Sequence, residues 1–222
     1  MTVLELLPEL KNKPEEYIKS VEKSYNDYID FSDIPVGYRN EYRVNITGKL
    51  ENIMKNISTV VSDRYNILLN FNGYKNTGYI AYVIINEYFK QIHLNNDILE
   101  NIVYIDTNLL VEDYKRLMNV NQLSQNTAHS LNTLLNSIET ASMVIWDKFS
   151  KLESTYDKHK IYDILSIRKR NNCCNIYMIA GGTSNLSQVI GADIFDMMDV
   201  DFGCDCSRTN FEVPKKGMNL EC

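Results

Sequence analysis

Short apolar runs alternate with longer amphipathic stretches along most of the chain. The runs predict buried strands at 65–71, 102–105, 142–146, 176–180 and 199–203. The stretches around them have helical spacing at 47–63, 79–92, 108–118, 122–139, 156–170 and 186–197. Strands that alternate with helices predict an α/β fold, with a parallel sheet covered by helices on both faces. In such a fold, ligands bind beyond the carboxyl ends of the strands.

The first 33 residues are acidic and contain one clear helical pattern. They hold four Lys against eight Asp and Glu. Pro14 and the two glutamates after it are typical of a helix start. A helix over about 14–30 would carry one apolar stripe, formed by Ile18, Val21, Tyr25 and Tyr28. This stripe either packs on the chain's own domain or docks a partner protein, and both interpretations stay open.

Pro35 and Gly37 interrupt the chain just after this helix. We therefore predict an N-terminal helical arm over 1–33 and one α/β domain over 34–222.

Composition limits the class of protein. Of the 222 residues, 44% are hydrophobic and 23% charged, as in a folded globular protein, and the net charge of -6 excludes a general basic field for nucleic acid. Since there is neither an apolar run of ~20 residues nor a signal-peptide pattern, we expect a cytoplasmic protein. The five cysteines form no C-x-x-C pair and the three histidines lie far from them, so we expect no metal site.

The loop after the first strand of the domain resembles a phosphate loop in outline. In such a loop, glycines let backbone amides surround the phosphates, a lysine contacts the β- and γ-phosphates, and a hydroxyl residue binds Mg²⁺. Gly73 and Gly78 stand at the two ends of the segment. The middle glycine, the lysine and the hydroxyl residue are replaced by Asn76, Tyr79 and Ile80.

Two later strand ends carry further parts of a nucleotide site. Four apolar residues lead into Asp147, the position of a magnesium-binding acid, and Lys148 stands where a second acid would orient the attacking water. After the strand at 176–180, Asn185 offers a polar side chain where a γ-phosphate sensor would lie.

The order and spacing of these parts resemble a known family. From about residue 30 to 212, the chain is similar to the DnaC/DnaI/IstB-like group of AAA+ proteins, the bacterial and phage replicative helicase loaders. The resemblance rests on Ile34-Pro35 with Tyr38-Arg39, the 68–78 loop, 103–106 with Leu109-Leu110, the strand at 143–147, Arg168 and Arg170 before 175–185, and 191–196. It implies an AAA+ sheet and, as partner, a replicative helicase or its loader.

The departures from the family pattern concern every charged group around the γ-phosphate. Arg208 is similar in place to the family's second-sensor arginine, but residues 196–199 lack the arginine that reaches a neighbour's ATP. Such an arginine contributes ~10³–10⁵ in rate. We therefore predict no catalytic residues and no ATP hydrolysis. No cofactor is expected, and ATP with Mg²⁺ is at most a weak ligand.

A local basic region occurs near the end of the helix at 156–170. It consists of Lys158, Lys160, Arg168, Lys169 and Arg170. The simple interpretation is a solvated helix face. The family resemblance implies a contact with single-stranded DNA as the alternative.

Four functions remain open from the sequence. The chain could be a helicase-loader homologue without hydrolysis, an inhibitory decoy of a host loader or helicase, a residual ATP-binding switch, or an IstB-type transposition accessory protein. Each allows a homo- or hetero-oligomer.

Overall fold

The structure is a computed structural model that describes residues 2–39, 43–45, 48–118, 125–149, 152, 154–181, 186–206 and 210–212. The strands of these residues form two sheets. A small antiparallel pair consists of β1 (Arg43–Asn45) and β7 (Asn210–Glu212). The main sheet is parallel and consists of β2 (Ile67–Phe71), β3 (Ile102–Asp106), β4 (Met143–Asp147), β5 (Cys174–Ala180) and β6 (Phe202–Asp205).

The order of the main sheet is β3-β4-β5-β2-β6, and all neighbours in it run parallel. The strand before the glycine loop, β2, is therefore separated from β4 by β5. Ile67 at the start of β2 is level with Ile176 on one side and Phe202 on the other. Each strand of the main sheet begins within three residues of its predicted position, and the predicted α/β fold is confirmed. The strands β1 and β7 were not predicted.

Helices cover both faces of the main sheet. They are α1 (Val3–Leu6), α2 (Glu15–Phe31), α3 (Lys49–Lys55), α4 (Ile57–Ser62), α5 (Thr77–Asn95), α6 (Thr107–Met118), α7 (Gln125–Thr140), α8 (Thr155–Arg170), α9 (Leu186–Ile190) and α10 (Ala192–Met198). Short 3-10 helices lie at Pro8–Asn12 and Val36–Tyr38.

Two stretches predicted as single helices are each broken in two. The first breaks at Asn56, whose backbone leaves the helical region with φ -123°. The second breaks at Gly191, whose φ of 100° is a conformation that glycine adopts at low cost.

The sheet separates two hydrophobic cores. Side chains alternate along each strand, so that Ile67 and Leu69 face one core while Leu68 faces the other. The first core contains the buried residues of α1 to α5, and the second contains those of α6 to α10.

The predicted N-terminal arm belongs to the first core. Val21, Tyr25 and Tyr28 are buried there, and Ile18 packs against it at partial exposure. The Tyr25 hydroxyl donates a hydrogen bond of 2.7 Å to Asn86 of α5. The structure supports the first interpretation of the stripe, which is packing on the chain's own domain. The residues of α2 that face solvent lie outside the stripe. The division at residue 33 stays a prediction, since a shared core does not say whether each part folds alone.

Helices long and apolar enough to cross a membrane are absent from the described residues.

Candidate functional site

The glycine loop lies at the carboxyl end of β2, where a nucleotide site would be in this architecture. Gly73 has a φ of 145°, which strongly favours glycine, and Thr77 opens α5. The Thr77 hydroxyl lies 3.1 Å from the carbonyl oxygen of Tyr74, which closes the loop on itself. Gly78 follows in the first turn of α5 and is buried.

The ring of Tyr38 covers Gly78. A Cβ atom added at residue 78 would overlap three carbons of this ring, so glycine is required for the contact. The Tyr38 ring also lies 5.0 Å from the ring of Tyr79, edge to face, and 6.3 Å from that of Tyr104. Aromatic rings therefore pack against the first turn of α5, beside the glycine loop.

The segment that carries Tyr38 is fixed to the edge of the sheet. The backbone amide of Tyr104 in β3 donates to the carbonyl of Ser32 at 2.8 Å. Farther along, Arg39 donates to the carbonyl of Ile34 at 2.9 Å and forms an ion pair with Asp30 at 2.5 Å. The connection between α2 and the domain thus holds Tyr38 over the glycine loop.

Asp147, the acid at the position of a magnesium ligand, is fully buried and bonded to protein groups. One carboxylate oxygen accepts from the Tyr104 hydroxyl at 2.7 Å, and the other accepts from the Lys148 backbone amide at 2.8 Å. Burial raises the pKa of Asp147, although hydrogen bonds from Thr77, Tyr104 and the Lys148 amide and the Lys148 charge oppose the rise. Both carboxylate oxygens are therefore hydrogen-bonded within the protein.

Lys148 is paired with a second acid. Its ammonium group forms an ion pair with Asp106, the last residue of β3. Burial lowers the pKa of Lys148, but the bond to Asp106 and the nearby charges raise it by more, so the net shift is upward. The charge of Lys148 is therefore neutralised within the protein.

A cavity of about 540 Å³ opens beside these groups, at the β3 edge. It contains Tyr104 and three acids, Asp33, Asp106 and Asp113. The negative charges of these carboxylates would repel the negative charges of a triphosphate.

Two predicted residues of the site, Asn185 and Arg208, lie outside the described residues. Gly73, Gly78, Tyr79, Asp147 and Lys148 meet at the carboxyl ends of β2 and β4. The sixth described residue of the predicted set, Ile80, is fully buried in the first core.

Arg168 corrects the prediction of a DNA-contacting basic region. Its guanidinium is 0% exposed, so it cannot reach a nucleic acid. It donates to Asn175 at 2.7 Å and to the carbonyls of Ile138, Ala141 (2.9 Å) and Cys174 (2.6 Å). These partners join the end of α7 to the amino-terminal ends of β4 and β5, so the role of Arg168 is architectural.

The other four basic residues lie on the surface of α8. Lys169 pairs with Asp199 at 3.0 Å and Lys160 with Asp163 at 3.8 Å. Lys158 lines a cavity of about 420 Å³ between α8 and the α9–α10 segment, and Arg170 is exposed at the helix end. A contact of these four with single-stranded DNA stays a prediction.

Sequence reasoning missed the roles of Tyr38 and Arg168. For Arg168 a signal was present, because Ile161, Ile164, Leu165 and Arg168 follow the i, i+3, i+4, i+7 spacing of one buried helix face. For Tyr38 no local signal exists, since its contact with Gly78 joins positions forty residues apart.

Comparisons by sequence find nothing, since no protein-family model and no curated protein matches the chain. Comparisons by structure do find similar proteins. A crystal structure of the DnaI protein matches with a TM-score of 0.50 and 15% identity, over 79% of this chain and 86% of that one. A crystal structure of the DnaC helicase loader gives a TM-score of 0.49 at 14% identity, over 70% of this chain and 90% of that one.

The chain shares its fold with DnaI. The match supports the parallel sheet covered by helices that the sequence predicted. At 15% identity the likeness extends to the fold alone.

Proposed function

We propose that this protein is a helicase-loader-like AAA+ protein that binds a replicative helicase, or a loader of one, and does not hydrolyse ATP. The observation that carries the proposal is the Tyr38 ring over Gly78, in the first turn of α5 beside the glycine loop. Asp147 and Lys148 support it, because both are bonded to protein groups. An AAA+ domain whose nucleotide site is filled by its own side chains keeps the shape of a loader and acts through protein contacts.

The same observation favours a second candidate, an inhibitory decoy. A protein that needs no nucleotide can occupy a helicase or loader surface and prevent productive assembly. The two candidates share the partner and differ in the outcome of binding. A residual ATP-binding switch is disfavoured by the closed loop, because it requires Tyr38 to leave Gly78.

The experiment uses the purified full-length protein and the replicative helicase of the same source. We expect binding without nucleotide, with an affinity that Mg·ATP does not change. Helicase activity on circular single-stranded DNA then separates the candidates, since a loader-like protein stimulates unwinding and a decoy reduces it. ATP turnover that disappears in an Asp147→Ala variant would overturn the proposal, as would the absence of helicase and loader binding.

Restoring the phosphate loop provides a second test. The variant Asn76→Gly, Tyr79→Lys, Ile80→Thr supplies the missing glycine, lysine and hydroxyl groups. Because Tyr38 still fills the site, we expect no ATP binding from these three changes alone. Adding Tyr38→Ala should allow binding, measured by titration calorimetry. Equal binding with and without Tyr38→Ala would show that Tyr38 does not block the site.

A further inference from the structure

A groove runs along the exposed side of α2, next to its buried stripe. It consists of two cavities of about 390 and 430 Å³ between α2 and the turn that follows α5. Both cavities are lined by Ser20, Ser24 and Leu99, so they form one continuous groove. From Tyr17 to Phe31 it follows fifteen residues of helix, a length of about 21 Å between the first and the last.

The groove is apolar at its floor and open at its ends. Phe89 and Ile92 lie in the floor. Tyr17 and Phe31 stand at the two ends, exposed by 45% and 44%, and Ile98 in the adjoining turn is 86% exposed. Between the two aromatic residues, the exposed serines Ser20 and Ser24 leave room for a close approach. Large apolar side chains around a concave surface mark interaction sites.

The charges around the groove are mainly negative. Its rim carries Asp27 and Asp97 against Lys23. In the part of the chain that the structure describes, neither Asp27 nor Asp97 forms an ion pair. The first 33 residues, which include α2, hold four Lys against eight Asp and Glu. This field attracts a basic partner and repels an acidic one, including a second copy of this arm.

We infer that the α2 groove docks an amphipathic helix of a partner protein, with one apolar face and basic flanks. Two or more turns of the partner's apolar face would lie over Phe89, Ile92 and Leu99, with its ends against Tyr17 and Phe31. Its lysines or arginines would meet Asp27 and Asp97. This inference rests on the proposed partner binding. It assigns the partner contact to the exposed side of α2 and not to the buried stripe.

The probe is a pair of fluorescent helical peptides of about 15 residues, sized to the groove. Both carry the same leucine stripe, and their other positions are lysine and arginine in one and glutamate in the other. Anisotropy titrations with the full-length protein should show binding of the basic peptide at least ~10-fold tighter than that of the acidic one, weakening as salt rises. Equal affinities would overturn the inference.

Two arginine substitutions on α2 locate the site. Ser24→Arg places a long cation inside the groove, and Asn26→Arg adds the same side chain on the solvent face of the same helix. We expect Ser24→Arg to weaken the basic peptide about tenfold and Asn26→Arg to change its affinity less than about twofold, at unchanged melting temperatures. Similar effects of both variants would contradict the groove as the binding site.

Two further outcomes separate this inference from the proposed function. If the helicase binds wild type and Ser24→Arg equally, the proposed function stands and the groove assignment fails. If the basic peptide binds at the groove but neither helicase nor loader binds, the groove stands and the proposed function fails. A dimer of the free protein that Ser24→Arg dissociates would assign the groove to a second copy and overturn the partner helix.

Discussion

The two ends of the central sheet each bury a charged side chain, and they do so in different ways. At the amino end, the Arg168 guanidinium donates to neutral oxygens. They are backbone carbonyls next to α7, β4 and β5 and the side-chain oxygen of Asn175. At the carboxyl end, Asp147 is bonded to Tyr104 and the Lys148 amide, beside the Asp106–Lys148 ion pair and under the Tyr38 ring. The first end joins secondary-structure elements, whereas the second pairs polar side chains of β3 with Asp147 and Lys148 at the end of β4.

Burial of a charge is therefore a poor guide to function in this molecule. Arg168 is as completely buried as Asp147, yet it lies at the amino ends of the strands, where α/β folds do not bind ligands. The carboxyl end is the informative one, because Asp147 there is bonded to Tyr104 and Lys148 to Asp106. Variants at the two ends can test this difference.

The largest effect is expected at the amino end. Arg168→Leu keeps most of the side-chain volume but removes the donors of three backbone carbonyls and of Asn175. Because each buried acceptor left unsatisfied costs about 1–3 kcal/mol, we expect a loss of about 3 kcal/mol or more in the free energy of unfolding, measured in urea. The control is Arg170→Leu on the exposed end of the same helix, which should stay within about 0.5 kcal/mol. Similar losses in both variants would contradict the architectural role of Arg168.

A smaller effect is expected at the glycine loop. Gly78→Ala forces the new methyl group into the Tyr38 ring, at a cost of about 1–3 kcal/mol. In a Tyr38→Ala background the same change should become neutral or stabilising by up to ~1 kcal/mol, because alanine favours a helix over glycine. Gly203→Ala, where an added Cβ meets nothing within 4 Å, is the control and should not depend on Tyr38. An equal cost of Gly78→Ala in both backgrounds would show that the ring does not rest on Gly78.

The smallest effect concerns Asp147, and only its sign is predicted. Since burial raises the folded-state pKa of this carboxyl, its contribution to stability is present below the unfolded pKa and is lost as pH rises through the folded pKa. Asn at this position mimics the protonated form, with the oxygen accepting from the Lys148 amide and the amino group donating to the Tyr104 hydroxyl. Asp147→Asn should therefore gain stability relative to wild type as pH rises from acid to neutral. A relative loss on going to neutral pH would mean that the carboxylate is stabilised by a bound cation or by a stronger ion pair.

The sheet could be predicted from the sequence because its strands are short continuous apolar runs. β4 is buried along its whole length, and β3 and β5 are buried except at their last residue. The change from apolar to polar residues therefore marks where each of these strands begins and ends. The helical stripe of α2 was equally clear, but periodicity says only that a face is apolar. Whether Val21 and Tyr25 meet their own core or a partner depends on tertiary packing.

The residues of the candidate site and their contacts could be predicted only in part from the sequence. The replacements at Tyr79, Ile80 and Lys148 were visible in the sequence, because each falls at a defined distance from a strand. The position of Tyr38 was not, since it depends on the Ser32–Tyr104 backbone bond and on the 3-10 turn at Val36–Tyr38. Gly78 illustrates the difficulty, because a glycine that looks like a remnant of a phosphate loop is required here by an aromatic ring.

Titration of the protein with Mg·ATP in a calorimeter tests the central claim most directly. Because the Tyr38 ring packs on Gly78 beside the glycine loop and Asp147 is bonded to protein groups, wild type should show no heat of binding at millimolar nucleotide. Saturable binding by wild type that is lost in Asp147→Asn and unaffected by Tyr38→Ala would contradict it.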